Sequence, residues 1–496
     1  MSTDQRTVRA RLTSGTLDCE RVQIRELRGR EAISEPFAFD VDMVVPDDGS
    51  FSAATVLGKD MTIVFSLADE DVRSVHGIVS EVIDQPDIID GYTRHQIHIV
   101  PRLHRLSLSS TCEVFLKKSV IDIALEKLGR VDLRGDDVAV RLQNPPKPCE
   151  LRLQYAETDL AFVARHLERA GIAYSFDHSG SKDVLVLSDT NGPFVPATGP
   201  DAIPYVGQHD QRGITTFKVR SSMVAATHVV NDYLETHPKL DLNGEFALDV
   251  PFAGEVVDFG TGQTTPAEAK ALAQMRAQSR QALADGFEGA STVPYIEAGR
   301  TIALDGMPGG ASPLSGPTLG QSSGRLLVVW VEHHLTQTTM MHEAHDKVGY
   351  DNTFRTVLAS RVYRPALATP WPHIAGFVYA VTDQPPPGGS ELTAVLDEEG
   401  RYTIRFYFDK ADGAKRQTSS CRVRMMQPHA GGGYGTHFPL KPGVEVMVAF
   451  IEGDPDRPII AGAMHNGLNK HVVTSKNPKI NHIQTRSGIR MSMKDS

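Results

Sequence analysis

The stretch 435–469, GTHFPLKPGVEVMVAFIEGDPDRPIIAGAMHNGLN, constrains the fold more than any other part of the chain. Val444, Val446, Val448 and Phe450 recur at spacing two, so an extended strand puts all four on one face, a core face, and Glu445 on the other. Gly453-Asp454-Pro455-Asp456-Arg457-Pro458 then breaks the strand. Glycine accepts positive φ, each proline fixes φ and lacks an N–H, and the two aspartates can cap backbone N–H groups. A second apolar run, 459–464, follows at once, and two strands joined by so short a polar link predict an antiparallel hairpin. Physical reasoning alone stops at a hairpin of a small β-barrel or sandwich.

The same alternation recurs upstream. Residues 37–43, 61–65 and 75–79 read as strands. A helix is expected over 120–128, with Ser119 at its N-cap, Asp122 three residues on, Ile121, Leu125 and Leu128 on one apolar face, and Gly129 as its stop. Thr158 can cap a second helix whose Leu160, Val163, Ala164 and Leu167 share a face, with Gly171 closing it and 172–176 leaving as a strand. After turn-rich strands over 195–260, Thr265, Pro266 and Glu268 open the longest helix, which runs to about Ala284 and ends at Gly286. Its modestly apolar positions, Ala271, Leu272, Met275, Ala282 and Leu283, suit packing on its own sheet or against another chain. The proline-rich passage 363–372 cannot extend a helix or a central strand, which places the main domain boundary there. Beyond it, segments 374–381, 392–396, 401–408 and 420–427 precede the hairpin, and five or six short strands over this length suit an OB-like barrel.

Composition narrows the function. With 40% hydrophobic and 23% charged residues in 496, the chain can bury large cores, and a net charge of −10 argues against general attraction to nucleic acid or anionic membranes. Lys470, Lys476, Lys479, Arg486, Arg490 and Lys494 stand against Asp495 alone at the end, which reads as a solvated basic segment. Cys19, Cys112, Cys149 and Cys421 are scattered without a Cys-x-x-Cys pair, so neither a disulfide framework nor a zinc knuckle is indicated. The N-terminus has charges throughout and no apolar core of a secretory signal, and the run 326–331 is too short to span a membrane. Synthesis and folding in the cytosol are therefore expected, with export by some route other than a cleaved signal.

Each catalytic candidate has a plainer reading. Gly320-Gln321-Ser322-Ser323-Gly324 matches G-x-S-x-G formally, but a loop precedes it and a strand follows, whereas a nucleophile elbow needs strand before and helix after. His342-Glu343-Ala344-His345 is one residue short of H-E-x-x-H and loses the i, i+4 spacing; His333 and His334 with Glu332 leave a metal site to folding alone. Glu157, beside Tyr155, reads as a carboxylate serving the helix dipole. The glycine-rich 430–435 lacks the Lys-Ser or Lys-Thr of a phosphate loop. Tyr402, Phe406 and Phe408 with Arg401 could stack single-stranded nucleic acid, yet they fall on the presumed core side, and residues 376–466 carry 9 basic against 11 acidic side chains. No catalytic, cofactor-binding or metal residue is assigned.

Resemblance goes further. GDPDRPIIAG, preceded by HFPLKPGVEVMVAF and followed by HNGLN, resembles the signature of the VgrG family, the spike proteins of type VI secretion systems. LRGREAISEPFAFDV, HGIVSEV, and Gln154, Tyr155 and Glu157 are similar to family patterns, as are Asp397, Gly400 and Arg401, then Arg424, Met425 and Gln427, then Ala430 and Gly431. PRLHRL at 101–106 departs from the pattern, since many members carry a tryptophan there, and the tryptophan many have just before Arg424 is absent. The resemblance implies a mainly β (α+β) chain with a few helices. Phage-hub-like β-barrel domains, 1–150 and 151–370, are followed by an OB-fold barrel, 371–468, and a neck, 469–496, that begins a trimeric β-helix needle cut short at Ser496. It further implies a homotrimeric, non-enzymatic spike without cofactors, seated on an Hcp-like tube protein and a baseplate. Such a spike carries a PAAR-type tip and secreted effectors, touches the target membrane transiently, and is cytoplasmic until it is fired from the cell. Without its needle the trimer is expected to be weaker. A phage or extracellular contractile particle could use the same architecture; a serine hydrolase and an OB-type nucleic-acid-binding protein are the remote alternatives.

Overall fold

Alternation in the first hundred residues becomes six antiparallel strands: β1 (Val8–Thr13), β2 (Gln23–Ala32), β3 (Glu35–Pro46), β4 (Asp60–Leu67), β5 (Glu70–Ile89) and β6 (Tyr92–Val100). The computed structural model describes residues 7–89, 91–207, 211–250, 253–305, 324–339, 348–384, 389, 393–409 and 420–495. The strands are ordered β1-β4-β5-β6-β3-β2, and the strands 325–336, 349–358, 285–291 and 214–221 extend the sheet beyond β2. Every second side chain points inward: Val8, Leu12, Phe37, Phe39, Ile63, Phe65, Val75 and Ile97 belong to one buried cluster. Each contributes about 1.5–3 kcal/mol by leaving water. The two ends of the six-strand run are tied by one side chain. Gln337 Oε1 accepts from the Ala10 N–H of β1 at 2.8 Å, and its Nε2 donates to Ala10 O at 3.1 Å and to Ile24 O of β2 at 3.0 Å.

Contacts divide the chain into two compact units, one of residues 1–108, 124–145 and 163–369, the other of 109–123, 146–162 and 370–496. Reading the chain in order cannot produce this grouping.

The three helices expected from capping signals form, with corrected ends. Ser119 and Asp122 exchange hydrogen bonds at 2.7–3.1 Å at the start of Val120–Arg130. Gly129, expected as the stop, lies inside this helix. Asp132 takes the left-handed conformation instead (φ 62), and the Leu133 N–H returns to Leu128 O at 3.0 Å. Its buried positions are Val120, Ile123, Ala124, Lys127 and Leu128, whereas Leu125 is 40% exposed. In Asp159–Arg169 the Ala161 N–H bonds Thr158 Oγ1 at 3.1 Å, and Gly171 closes the helix at φ 67. Pro266–Ala284 starts as expected, with Thr265 accepting from the Glu268 N–H. It ends directly in the strand Asp285–Ser291, so Gly286 is a strand residue and not a cap. Ala269 and Ala273, rather than the exposed Ala271, face the sheet formed by Thr227–Asn231, Gly244–Ala247 and Glu255–Phe259. There Gly244 is required, because a Cβ would stand 2.2 Å from the Ala269 carbonyl carbon. Among the described residues no helix is long and apolar enough to cross a membrane.

In the second unit the expected hairpin is present: Glu445–Phe450 pairs antiparallel with Pro458–Ala463, and Val446, Val448 and Phe450 are buried. Gly453 sits at φ 72 with His373 packed where a Cβ would be, only 2.1 Å from its Nδ1, so no other residue fits the turn. Val378–Thr382 and Ile404–Phe406 complete a four-stranded sheet. Segments 393–396 and 420–427, expected as strands, contribute only single bridges, Leu396 to Tyr402, Val423 to Tyr402 and Met425 to Ile460; residue 392 lies outside the described residues. Their one-residue contacts still bury Tyr402, Val423 and Ile460 in a common core. That core also takes Leu153 from Cys149–Thr158, a strand paired with Ser110–Lys118. The turn aspartates hold this arrangement: Asp456 accepts from Leu153 N–H at 2.7 Å and Arg152 at 3.1 Å, and Asp454 accepts from Trp371 Nε1 at 3.1 Å.

Candidate functional site

Among the described residues, those singled out from the sequence are not brought together at one place. Tyr155 packs edge-on against Phe408, ring centres 5.9 Å apart. Glu157 stays in its strand, and the carboxylate in the first turn of the next helix is Asp159, which accepts from Gln154 Nε2 at 2.9 Å and Thr111 Oγ1 at 3.3 Å. His333 and His334 are neighbours on an extended strand and point to opposite faces. His333 is buried, whereas His334 meets Glu26 at 3.1 Å and Asp351 at 3.6 Å, and Glu332 pairs with Arg30 at 2.7 Å. No cluster of three or more metal-binding side chains occurs among the described residues. Ser322, His342, Glu343 and His345 lie outside them. Tyr402 and Phe406 are core residues, Phe408 stacks on Phe406 at 4.9 Å, and Arg401 is engaged by Asp397 and Glu399 at 2.8 Å each.

What the sequence reading missed is a buried charge network in the first unit. Glu31 on β2 and Arg73 on β5 form a direct ion pair, both side chains nearly sealed from solvent. Arg73 Nη1 also reaches His333 Nε2 at 3.3 Å and donates to Pro294 O at 3.3 Å, and Glu297 lies 3.6 Å from Arg73 Nε and 3.5 Å from Arg300 Nε. His333 Nδ1 is 2.6 Å from Tyr350 Oη, which accepts from Asn352 Nδ2 at 2.9 Å; Asn352 in turn accepts from Ser291 Oγ at 2.7 Å. Parity is the signal that could have revealed it. Arg73 shares the inward register of Val75, and Glu31 that of Leu27, so each is a charge at a core position of an alternating strand.

Electrostatics make this a fixed network. Burial alone would raise the Glu31 carboxyl, but Arg73 and His333 outweigh it and hold it at about 2. Burial pushes His178 down to about 3, and His178 Nδ1 accepts from the His76 N–H at 3.1 Å; burial likewise lowers His333 and raises Glu297. A general acid or base works best near the operating pH, and neither Glu31 nor His178 exchanges protons there. The space that Glu31, Arg73, His178 and Glu297 enclose with Phe37 and Phe176 is about 10 Å³, room for a water and not for a substrate.

An exposed apolar feature lies at the other end of the chain. Ile480–Gln484 and Arg490–Lys494 form a two-stranded hairpin, with Ile483 opposite Met491 and Asn481 opposite Met493 on one face, and Ser492, Lys494 and Arg490 opposite His482, Ile480 and Gln484 on the other. The apolar face is uncovered: Ile483 is 45% exposed, Met491 60% and Met493 56%, with Ile489 at 72% beside them. A lone two-stranded hairpin is marginal in water without such a face being covered.

Comparison with known proteins agrees with this geometry. Residues 30–339 match the family model of the phage tail baseplate hub (GPD), and residues 391–465 match that of the type VI secretion system/phage-baseplate injector OB domain. The chain is 28% identical over 471 residues to the type VI secretion system spike protein VgrG1b of Pseudomonas aeruginosa, covering 91% of this chain and 59% of that protein. It is 27% identical over 484 residues to the actin cross-linking toxin VgrG1 of Vibrio cholerae, covering 91% of this chain and 41% of the toxin. The chain thus spans about three fifths, or less, of the length of these relatives. Among solved structures, the Escherichia coli c3393 protein superposes with a TM-score of 0.65 at 21% identity, covering 91% of this chain and 99% of that one. It is described as a type VI secretion component similar to the phage T4 tail proteins gp27 and gp5. A Francisella PdpA–VgrG complex superposes with a TM-score of 0.61 at 9% identity, covering 98% and 75%. Both likenesses establish the fold: a mainly β, hub-like chain with an OB domain.

Proposed function

Because the chain belongs to the phage tail baseplate hub family, we propose that it is the spike, or tip, component of a contractile type VI secretion machine. The observation that carries this reading is the succession, in one chain, of a hub and an injector-type OB barrel related over most of its length to VgrG spikes. Three copies would sit on the tube and baseplate, carry a PAAR-type tip and effectors, and be driven from the cytoplasm through a target membrane. The uncovered Ile483, Met491 and Met493 face supports threefold assembly, since three hairpins around one axis hide apolar side chains that one chain leaves in water. The work is mechanical, and the buried Glu31–Arg73 network serves stiffness, not turnover; no catalysis is assigned to this chain.

Deleting the gene in a strain with no second spike gene tests this. Release of tube protein and contraction-dependent killing should stop, and should return on complementation. Tube protein released at the parental level would overturn the reading. The injector OB model also covers phage baseplates, so a tail hub of a phage-like particle is the second reading, and recovery of the chain in purified sheathed particles outside the cell would favour it.

A further inference from the structure

Where the chain leaves the barrel, two imidazoles face each other. His465 follows the strand Pro458–Ala463 by two residues, and His471 lies six residues further on. The intervening turn is built independently of them: Asn466 N–H bonds Asn469 O at 2.9 Å, and Asn466 Oδ1 accepts from Leu468 N–H at 3.0 Å and Asn469 N–H at 2.8 Å. The turn returns the chain on itself and leaves the two ring centres 5.0 Å apart, inclined at 60°. Both residues are exposed, so the pair is open to ions in solution.

That separation is one that metal ligation can use. With zinc–nitrogen bonds of about 2.0–2.1 Å and roughly 1.1 Å from ring nitrogen to ring centre, two imidazoles on one tetrahedral ion place their centres about 5 Å apart. A second observation concerns the other nitrogen. His471 Nδ1 accepts from the Val473 N–H at 3.1 Å and lies 2.9 Å from the Val473 carbonyl oxygen. An ion on Nε2 requires the tautomer in which Nδ1–H gives up the amide bond and donates to that carbonyl instead, the kind of outer contact that usually orients a ligating histidine.

We propose that His465 and His471 are the two protein ligands of a site for a divalent late first-row transition ion, zinc above all, with water in the remaining positions. Imidazole nitrogen favours zinc, copper and nickel over magnesium or calcium, which prefer oxygen. Bound there, the ion closes the seven-residue loop from 465 to 471 and fixes the direction in which the chain leaves the barrel. Both ligands come from one chain, so the site does not rest on the spike reading.

The test is a calorimetric titration of the whole chain with zinc chloride. Saturable binding of one ion per chain is expected. His465→Ala and His471→Ala should each weaken it at least about tenfold, the double substitution should abolish it, and His482→Ala, on the tail hairpin, should leave it unchanged. All three positions lie on the surface, so folding is not at stake. Absence of saturable binding below millimolar zinc, or binding that survives the double substitution, overturns the proposal. Neither result depends on whether tube protein is released.

Discussion

Replacing Gln337 by methionine removes the tie between β1 and β2 while keeping a side chain of similar length. Three hydrogen bonds are lost, at 2.8, 3.1 and 3.0 Å, and their backbone partners on Ala10 and Ile24 are left without the amide. At about 1 kcal/mol net per bond the full loss would be about 3 kcal/mol; the site is only part-buried, so water recovers some of it and about 2 kcal/mol remains. Because β1 is held besides by its pairing with β4, by its inward side chains and by the exposed ion pairs Arg9–Asp69 and Arg11–Asp71, the loss should appear as local opening of β1 and not as global unfolding. The assay is native-state amide hydrogen exchange. A loss of about 2 kcal/mol speeds exchange of the β1 amides roughly 30-fold, while the interior strands β5 and β6 stay at parental rates and act as the internal control. If β1 exchanges within about threefold of the parent, Gln337 is not what closes the run, and the inference from its geometry fails.

Two further outcomes follow from the buried network. Arg73→Met leaves Glu31 charged and unpaired in the core and should cost about 3–5 kcal/mol in denaturant unfolding, whereas Arg73→Met combined with Glu31→Leu should recover much of it; simple additivity of the two losses would refute the pairing. Acid should also destabilise the first unit. His178, held by burial at about 3, stays neutral in the folded chain while the unfolded chain protonates it near 6.5, so stability falls by about 1.4 kcal/mol for each pH unit below 6.5. Glu31, at about 2, adds its own loss below 4.5, and Glu297, raised by burial, works in the opposite sense. The urea midpoint should therefore be lower at pH 5.5 than at pH 7.5, with the difference reduced in His178→Asn; equal differences in parent and variant would refute the assignment.

Local rules explain most of what could be read in advance. The hairpin around Gly453 was legible because period-two apolar residues and a turn of glycine, aspartate and proline act over a few residues. Helix starts were legible for the same reason: Ser119, Thr158 and Thr265 cap through bonds that span three residues. Stops were less so, since Gly129 and Gly286 carry the right chemistry but the chain beyond them decides whether it is used. Contacts between distant residues were not legible at all. Arg73 meets Glu31 across 42 positions and His333 across 260, and only the register of each strand hints that these charges face a core. Leu153 joining the barrel core with Ile404 and Val446 is likewise decided by tertiary packing that no local pattern encodes.

The interleaving of the two units has a mechanical meaning. The chain passes from one unit to the other after residues 108, 123, 145, 162 and 369, and the passages after 123 and 162 fall inside the helices Val120–Arg130 and Asp159–Arg169. A pull that would separate the units is shared among five covalent tethers in parallel, and one nick leaves four of them intact. A chain stitched in this way is not parted by a single break, and an insertion at one crossing leaves the other four in place.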